Sequence, residues 1–242
     1  MLARSLACVN RASGALTPPF QARRILPVDI GKPRMRGWLH AYAFFVAIAA
    51  GVVLVTVAAT IGGGTLPAIS CAIYSLTVCG LFGASALYHR RVWSPRGYAI
   101  VRRLDHAMIF VFIAGTYTPF CVGLLPRTMA IVILSVAWGG AVLGVAMNLV
   151  TPDAPRWLAA PFYVALGWVA IFVLPEIARD SGLTAFALLL AGGVLYTVGA
   201  ACYAMRWPNP WPTTFGHHEV FHAVTLLAAL WQHVAVYVVL LR

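Results

Sequence analysis

Seven apolar stretches, each close to twenty residues long, divide this sequence and leave it few ways to fold. Crossing about 30 Å of hydrocarbon takes roughly 20 residues of helix. The runs are roughly Trp38 to Thr60, ended by Gly62-Gly63-Gly64; Leu66 to His89; Asp105 to Leu125, ended by Pro126; and Thr128 to Val150, ended by Pro152. They continue with Trp157 to Leu174, ended by Pro175; Leu183 to Met205, followed by Pro208, Pro210 and Pro212; and His217 to Leu240. Helices are the only open-ended way to satisfy backbone groups in lipid. The predicted fold is therefore all-α, a polytopic membrane protein built as a seven-transmembrane helix bundle.

Composition agrees. Hydrophobic residues make up 62% and charged residues only 10%, against roughly 25% charged in a soluble domain. A net charge of +11 could suggest nucleic acid, but the basic residues lie in a tail and in short loops between apolar runs. They read as topology signal, and no nucleic-acid partner is expected. The tail, the loop after the second run and the loops after the fourth and sixth carry all of the 17 Lys and Arg except Arg127, Arg179 and Arg242. By the positive-inside rule the N-terminus is cytoplasmic and the C-terminus outside. The expected location is the plasma (inner) membrane.

Residues 1–37 form a basic tail with Pro18, Pro19, Pro27 and Pro33, and residues 38–242 form the membrane domain. The tail lacks the apolar core of a secretory signal. It reads as a disordered cytoplasmic segment or an upstream start, in preference to a mitochondrial transit peptide. Of the cysteines Cys8, Cys71, Cys79, Cys121 and Cys202, all but Cys8 lie in apolar runs. Their odd number and the absence of a CxxC spacing give neither a disulfide framework nor a thiolate metal site.

Ionisable residues inside a span are costly and mark function by default. The second run ends in Ser85-Ala-Leu-Tyr-His89, the third opens with Asp105-His106, and the seventh opens with His217-His218-Glu219-Val-Phe-His222. Ser85 and His89 share a helix face, as do His218 and His222, each pair being four apart. With alternating spans, all three clusters fall at one depth on the cytoplasmic side. Three neutral imidazoles with an open fourth position are a typical catalytic zinc arrangement, and His89, His218 and His222 supply them. Zinc drives a water in the fourth place towards hydroxide near neutral pH. Asp105 lies at the level to accept its proton. Ser85, about 6 Å from His89 along the axis, can bond the water or Asp105.

The other histidines, His40, His106, His217 and His233, read as interfacial. The stretch from His218 to His222 also fits H-E-x-x-H, the metalloprotease helix with Glu as base. No downstream carboxylate ligand follows it, and Glu219 is turned about 100° from His218. Glu219 is therefore expected to support the site or lie at the interface, and a protease is not favoured. Thr116, Tyr117, Thr118 and Pro119 are expected to interrupt the third span. Asn148 and Gln232 are expected to join helices by hydrogen bonds, and Gly139-Gly140 and Gly192-Gly193 to let helices approach closely. Trp38, Trp93, Trp157, Trp207 and Trp211 fit an interfacial belt.

SALYH, RRLDHAMIFVFIAGTYTPF and GHHEVFH, with WGGAVLG in the fourth run and FYVALGW in the fifth, resemble the hemolysin III branch of the progestin and adipoQ receptor family over roughly residues 37 to 242. The resemblance implies a seven-helix bundle with a cytoplasmic N-terminus and Zn2+ near the cytoplasmic face. It matches the zinc ligands to His89, His218 and His222, and the water-associated pair to Ser85 and Asp105. Adiponectin-receptor relatives and alkaline ceramidases are linked to hydrolysis of lipid amides, and the bacterial-type branch to red-cell lysis and membrane lipid homeostasis. The leading expectation is a zinc-dependent hydrolase of membrane-lipid amide bonds, with membrane lipids as partners. A cytolysin, and a receptor or sensor with structural zinc, are the alternatives. The spans lack a repeated polar face to line a wide pore, and a zinc with only three protein ligands favours catalysis over structure.

Overall fold

A computed structural model describes residues 32–151 and 156–242. The tail as far as Gly31, with Cys8, and the helix-ending Pro152 lie outside the described residues, as do the side chains of Arg156 and Trp157. The described chain is α-helical: α1 (Trp38–Thr60), α2 (Thr65–Arg90), α3 (Pro95–Leu124), α4 (Arg127–Val150), α5 (Arg156–Trp168), α6 (Leu174–Met205) and α7 (His217–Leu240). Among the described residues six helices are individually long and apolar enough to span a bilayer, and a bent pair, Ala160–Phe172 with Leu174–Asp180, makes a seventh if it counts as one span.

Four of the seven runs keep their boundaries to within a residue or two. The third does not. Its helix starts at Pro95, ten residues before the apolar run, so Arg96, Arg102 and Arg103 ride on α3 and not in a loop. The local cause is a helix-start signal that hydropathy overlooks. Ser94 caps the helix, its Oγ accepting from Gly97 N at 3.2 Å, and Pro95 sits at the first turn, where a missing N–H costs nothing. Its 30 residues reach about 45 Å, more than the hydrocarbon needs, so the basic first turns continue past it.

The fifth run is also not one helix. α5 has 13 residues and passes at Trp168 into a single 3-10 turn, Val169–Phe172. α6 begins at Leu174, well before the expected Leu183, and the two pieces meet at 44°. Pro175 lies in the first turn of α6, where proline is tolerated because its missing N–H has no helical partner there anyway. Within α6, Gly182 (φ 73°, ψ 173°) breaks the helix, and the membrane-crossing part runs on to Met205.

Helix α3 is the most buried span and packs against α2, α4 and α7. The expected interruption at Thr116–Pro119 is absent: α3 continues through Pro119. Thr116 and Thr118 donate their hydroxyls to Phe112 O (2.8 Å) and Ala114 O (3.2 Å) of their own helix. Tyr117 instead reaches across and donates to Gly167 O of α5 at 2.6 Å. Asn148 Nδ2 donates to Arg103 O at 2.7 Å, joining α4 to α3. Among the expected glycine contacts, Gly140 lies against Leu166 and Gly192 against Gln232, whereas Gly139 and Gly193 face open space. The closest helix approach involves Gly115, where an added Cβ would stand 2.8 Å from Thr77 Cβ. Tyr42, Phe45, Val52, Ile131, Val142 and Val198 are large apolar side chains left exposed on the outside. In water such a surface would be prohibitive; against lipid it is the expected coat.

Candidate metal centre

The C-terminal end of α2 and the N-terminal ends of α1, α3 and α7 meet at one end of the bundle. His89 comes from the last turn of α2, and His218 and His222 from the first turns of α7. Each offers a ligand nitrogen, and these three atoms lie within 4.8 Å of one another. The Nε2 atoms of His89 and His218 stand 3.1 Å apart. Nitrogens sharing a tetrahedral ion at about 2.1 Å would be about 3.4 Å apart, so the pair is nearly at ligand spacing. The Nδ1 of His222 is buried and unpartnered among the described residues. Donor chemistry, convergence and spacing all fit a metal ion.

Asp105, one turn into the buried part of α3, faces the same space, as does Ser85. His106, expected at the interface, also lines this space. Its Nδ1 lies 2.8 Å from Arg102 O and 3.6 Å from Asp105 Oδ2. His217 is at the helix start, where its backbone N–H donates to Asn209 Oδ1 at 3.2 Å. His233 is flanked by the rings of Tyr74 and Tyr237, deep along α7 and away from the basic end.

His40 departs furthest from expectation. It is 3% exposed and stacks its ring on that of His222, centroids 3.8 Å apart and planes 4° from parallel. Both its nitrogens lack partners among the described residues. The signal was available: α1 enters from the same end as α3 and α7, so the depth argument that joined the other three histidines applies to His40 as well.

Glu219 has a structural post. It is 1% exposed, accepts from Gly216 N at 2.8 Å as the cap of α7, and forms an ion pair with Arg36. This geometry spends both carboxylate oxygens on holding the start of α7, which carries His218 and His222. The segment just before α1 takes part in the same scaffold. Arg34 N and Met35 N donate to Thr213 O and Thr214 O at 3.1 and 3.0 Å. Gly37, at φ +77°, lies so close to His89 that an added Cβ would be 2.6 Å from the His89 Cβ. Sequence patterning gave no hint of these contacts, because they depend on a loop folding back over the helix ends.

The cluster opens into a cavity of about 530 Å³. Ser85, His89, Asp105, His218 and His222 all line it. From there it runs between α3, α5, α6 and α7 past Ile109, Phe112, Phe120 and Leu189 to Leu125 and Leu174. Its walls are mostly apolar along that length.

Fold and site together define a multi-pass helical membrane protein with a buried histidine cluster able to hold a metal ion at the basic end of its bundle. The family follows from sequence comparison: residues 28–233 match the model for "Haemolysin-III related" proteins, and the chain belongs to that family. It is 29% identical over 187 residues to the Hemolysin-3 homolog of Bacillus subtilis (strain 168), covering 77% of this chain and 84% of that one. It is 27% identical over 187 residues to Hemolysin-3 of Bacillus cereus, with 77% and 82% covered. It is also 30% identical over 167 residues to the Heptahelical transmembrane protein ADIPOR2 of Oryza sativa subsp. japonica, with 61% and 71% covered.

Proposed function

We propose that this protein is a zinc-dependent hydrolase of amide bonds in membrane lipids, working in the plasma membrane with its N-terminus cytoplasmic. The observation that carries this reading is the opening of one largely apolar cavity onto a three-histidine cluster, with Ser85 and Asp105 beside it, inside the bundle. His89, His218 and His222 would hold the ion. Zinc suits three neutral imidazoles, and when bound it supplies a Lewis acid and an activated water. The apolar walls admit the acyl chain and keep bulk water from the reacting amide. Asp105 takes the proton released as the water oxygen joins the acyl carbon. It returns that proton to the nitrogen as the C–N bond breaks, giving a free acid and a free amine. Ser85 would hold the Asp105 carboxylate in place through its hydroxyl. Glu219 has no part in the proton transfer, because its oxygens are committed to Gly216 and Arg36.

The test is turnover of a fluorescent ceramide panel by purified protein. Zinc-dependent release of the acyl chain is expected, falling by about 100-fold or more in His218→Ala with bound zinc lost in parallel. No turnover by zinc-loaded wild type on any amide lipid would overturn the reading. The names of the two Bacillus relatives motivate a second one, lysis of membranes. Dye release from liposomes that is unchanged by His89→Ala would favour it as a separate activity.

A further inference from the structure

We infer, on the reading of this cavity as a lipid site, that the lipid chain it takes carries a hydroxyl part-way along its length. Polar side chains along the apolar part of the cavity fall into two sets. Thr116 donates to Phe112 O, Tyr117 to Gly167 O and Thr197 to Gly193 O at 2.9 Å, and Thr197 accepts from Trp168 Nε1 at 3.0 Å. These groups are satisfied within the bundle and ask nothing of a ligand. Tyr196, Thr225 and Gln232 line the same cavity, and their Oη, Oγ1 and Oε1 atoms are buried with no partner among the described residues. A helical threonine that bonds locally turns its hydroxyl to the carbonyl four residues back, as Thr116 and Thr118 do; Thr225 does not. Gln232, expected to join helices, leaves its carbonyl oxygen unused.

The three come together where α6 packs on α7. Thr225 follows His222 by three residues and Gln232 follows Thr225 by seven, so all three lie along one face of α7. By helix rise Thr225 and Gln232 stand about 5 and 15 Å beyond His222 along the axis. On α6, Gly199 lies against Phe221 and Val224, and Gly192 against Gln232. Tyr196 sits between those two glycines, hence level with the α7 stretch between Val224 and Gln232, and its ring meets that of Phe112 with centroids 5.9 Å apart. A plain chain passing this level would seal off three polar atoms from any partner, water included. That is the loss by which a site built around a substrate hydroxyl rejects the analogue lacking it. A hydroxyl both donates and accepts, so it can donate to the Gln232 carbonyl and accept from Tyr196 or Thr225. A keto group only accepts, and an ionised group at this depth is costly to bury.

The experiment reads chain recognition apart from hydrolysis. The probes are long-chain ketones in which a methylene stands where the amide nitrogen would be, so that no bond can be hydrolysed. They share one chain length and carry no hydroxyl, one in mid-chain or one at the chain end. Each competes with a radiolabelled plain ketone for purified, zinc-loaded, full-length protein in a neutral detergent. The mid-chain hydroxyl should bind about tenfold or more tightly than the plain chain, and the chain-end hydroxyl should gain less. Tyr196→Phe with Thr225→Val removes two hydroxyls at nearly constant volume, and neither has a partner to lose. That variant should keep its zinc and its plain-chain binding while the preference collapses. Equal binding of plain and mid-chain hydroxylated ketones by wild type overturns the inference and assigns these groups to trapped water. A preference that survives the double substitution overturns it as well. Binding of no ketone at all removes the lipid-site reading and this inference with it, whereas absence of amide cleavage alone leaves the order of affinities intact.

Discussion

Arg36 and Glu219 illustrate how a residue can shape a site through the partner it holds. Glu219 is 1% exposed and Arg36 20% exposed. Removing one partner of such a pair strands a buried charge, which costs about 3–5 kcal/mol, whereas removing both can be nearly neutral. Arg36→Ala should therefore lower the denaturation midpoint in detergent markedly, and Arg36→Met combined with Glu219→Gln should recover most of the loss. A flat response to Arg36→Ala would show that the pair contributes nothing. Gly37 has a more local effect. A side chain there meets both an unfavourable positive φ and the Cβ of His89 at 2.6 Å. If the histidine cluster holds zinc as proposed, Gly37→Ala should weaken its binding about tenfold by displacing His89, read by competition with a zinc chelator; unchanged affinity would refute that link. At this scale sequence reasoning served well where residues carry rare chemistry. It brought together Ser85, His89, Asp105, His218 and His222, which line one cavity. It misplaced His40, because a lone histidine near a helix end has the same sequence signature whether it faces a headgroup or another imidazole.

Three helices, α3, α5 and α6, depart from their hydropathy pattern, and these departures position the site. α3 gains three early turns from the Ser94-Pro95 start, which carry Arg102 to the cavity. The bend between α5 and α6 lets Gly167 and Trp168 line the middle of the cavity, where a straight span would present different residues. Packing between α2 and α3 depends on Gly115 opposite Thr77. Gly115→Ala should cost about 1–3 kcal/mol through overpacking, with part restored by Thr77→Ala, measured by unfolding in detergent. A fully tolerated Gly115→Ala would mean that the two helices can separate freely. Boundaries set by a proline or a cap are legible in sequence once sought. The direction a bent helix takes is not, because neighbouring helices decide it.

For the molecule as a whole, orientation makes the clearest prediction. With native cysteines replaced, a cysteine at Gly63, between α1 and α2, should react with a membrane-impermeant reagent added outside intact cells. One at Arg91, between α2 and α3, should react only after permeabilisation. The reverse pattern would invert the topology and move the histidine cluster to the outer face. The charge asymmetry behind this prediction is a property of loops that translocate or stay, and no membrane is needed to read it from the chain.

The sequence by itself determined the helical class, the multi-pass character and the depth shared by the histidine-bearing ends. Hydrocarbon thickness and unsatisfied backbone groups impose those on any chain of this pattern. Tertiary structure alone decided which groups share one space. The His40–His222 stack, the Arg36–Glu219 clamp, the loop that folds over α7 and the cavity beneath it all depend on packing between segments far apart in the chain. Periodicity tells which face of a helix is special, but only contact with the next helix tells what that face meets.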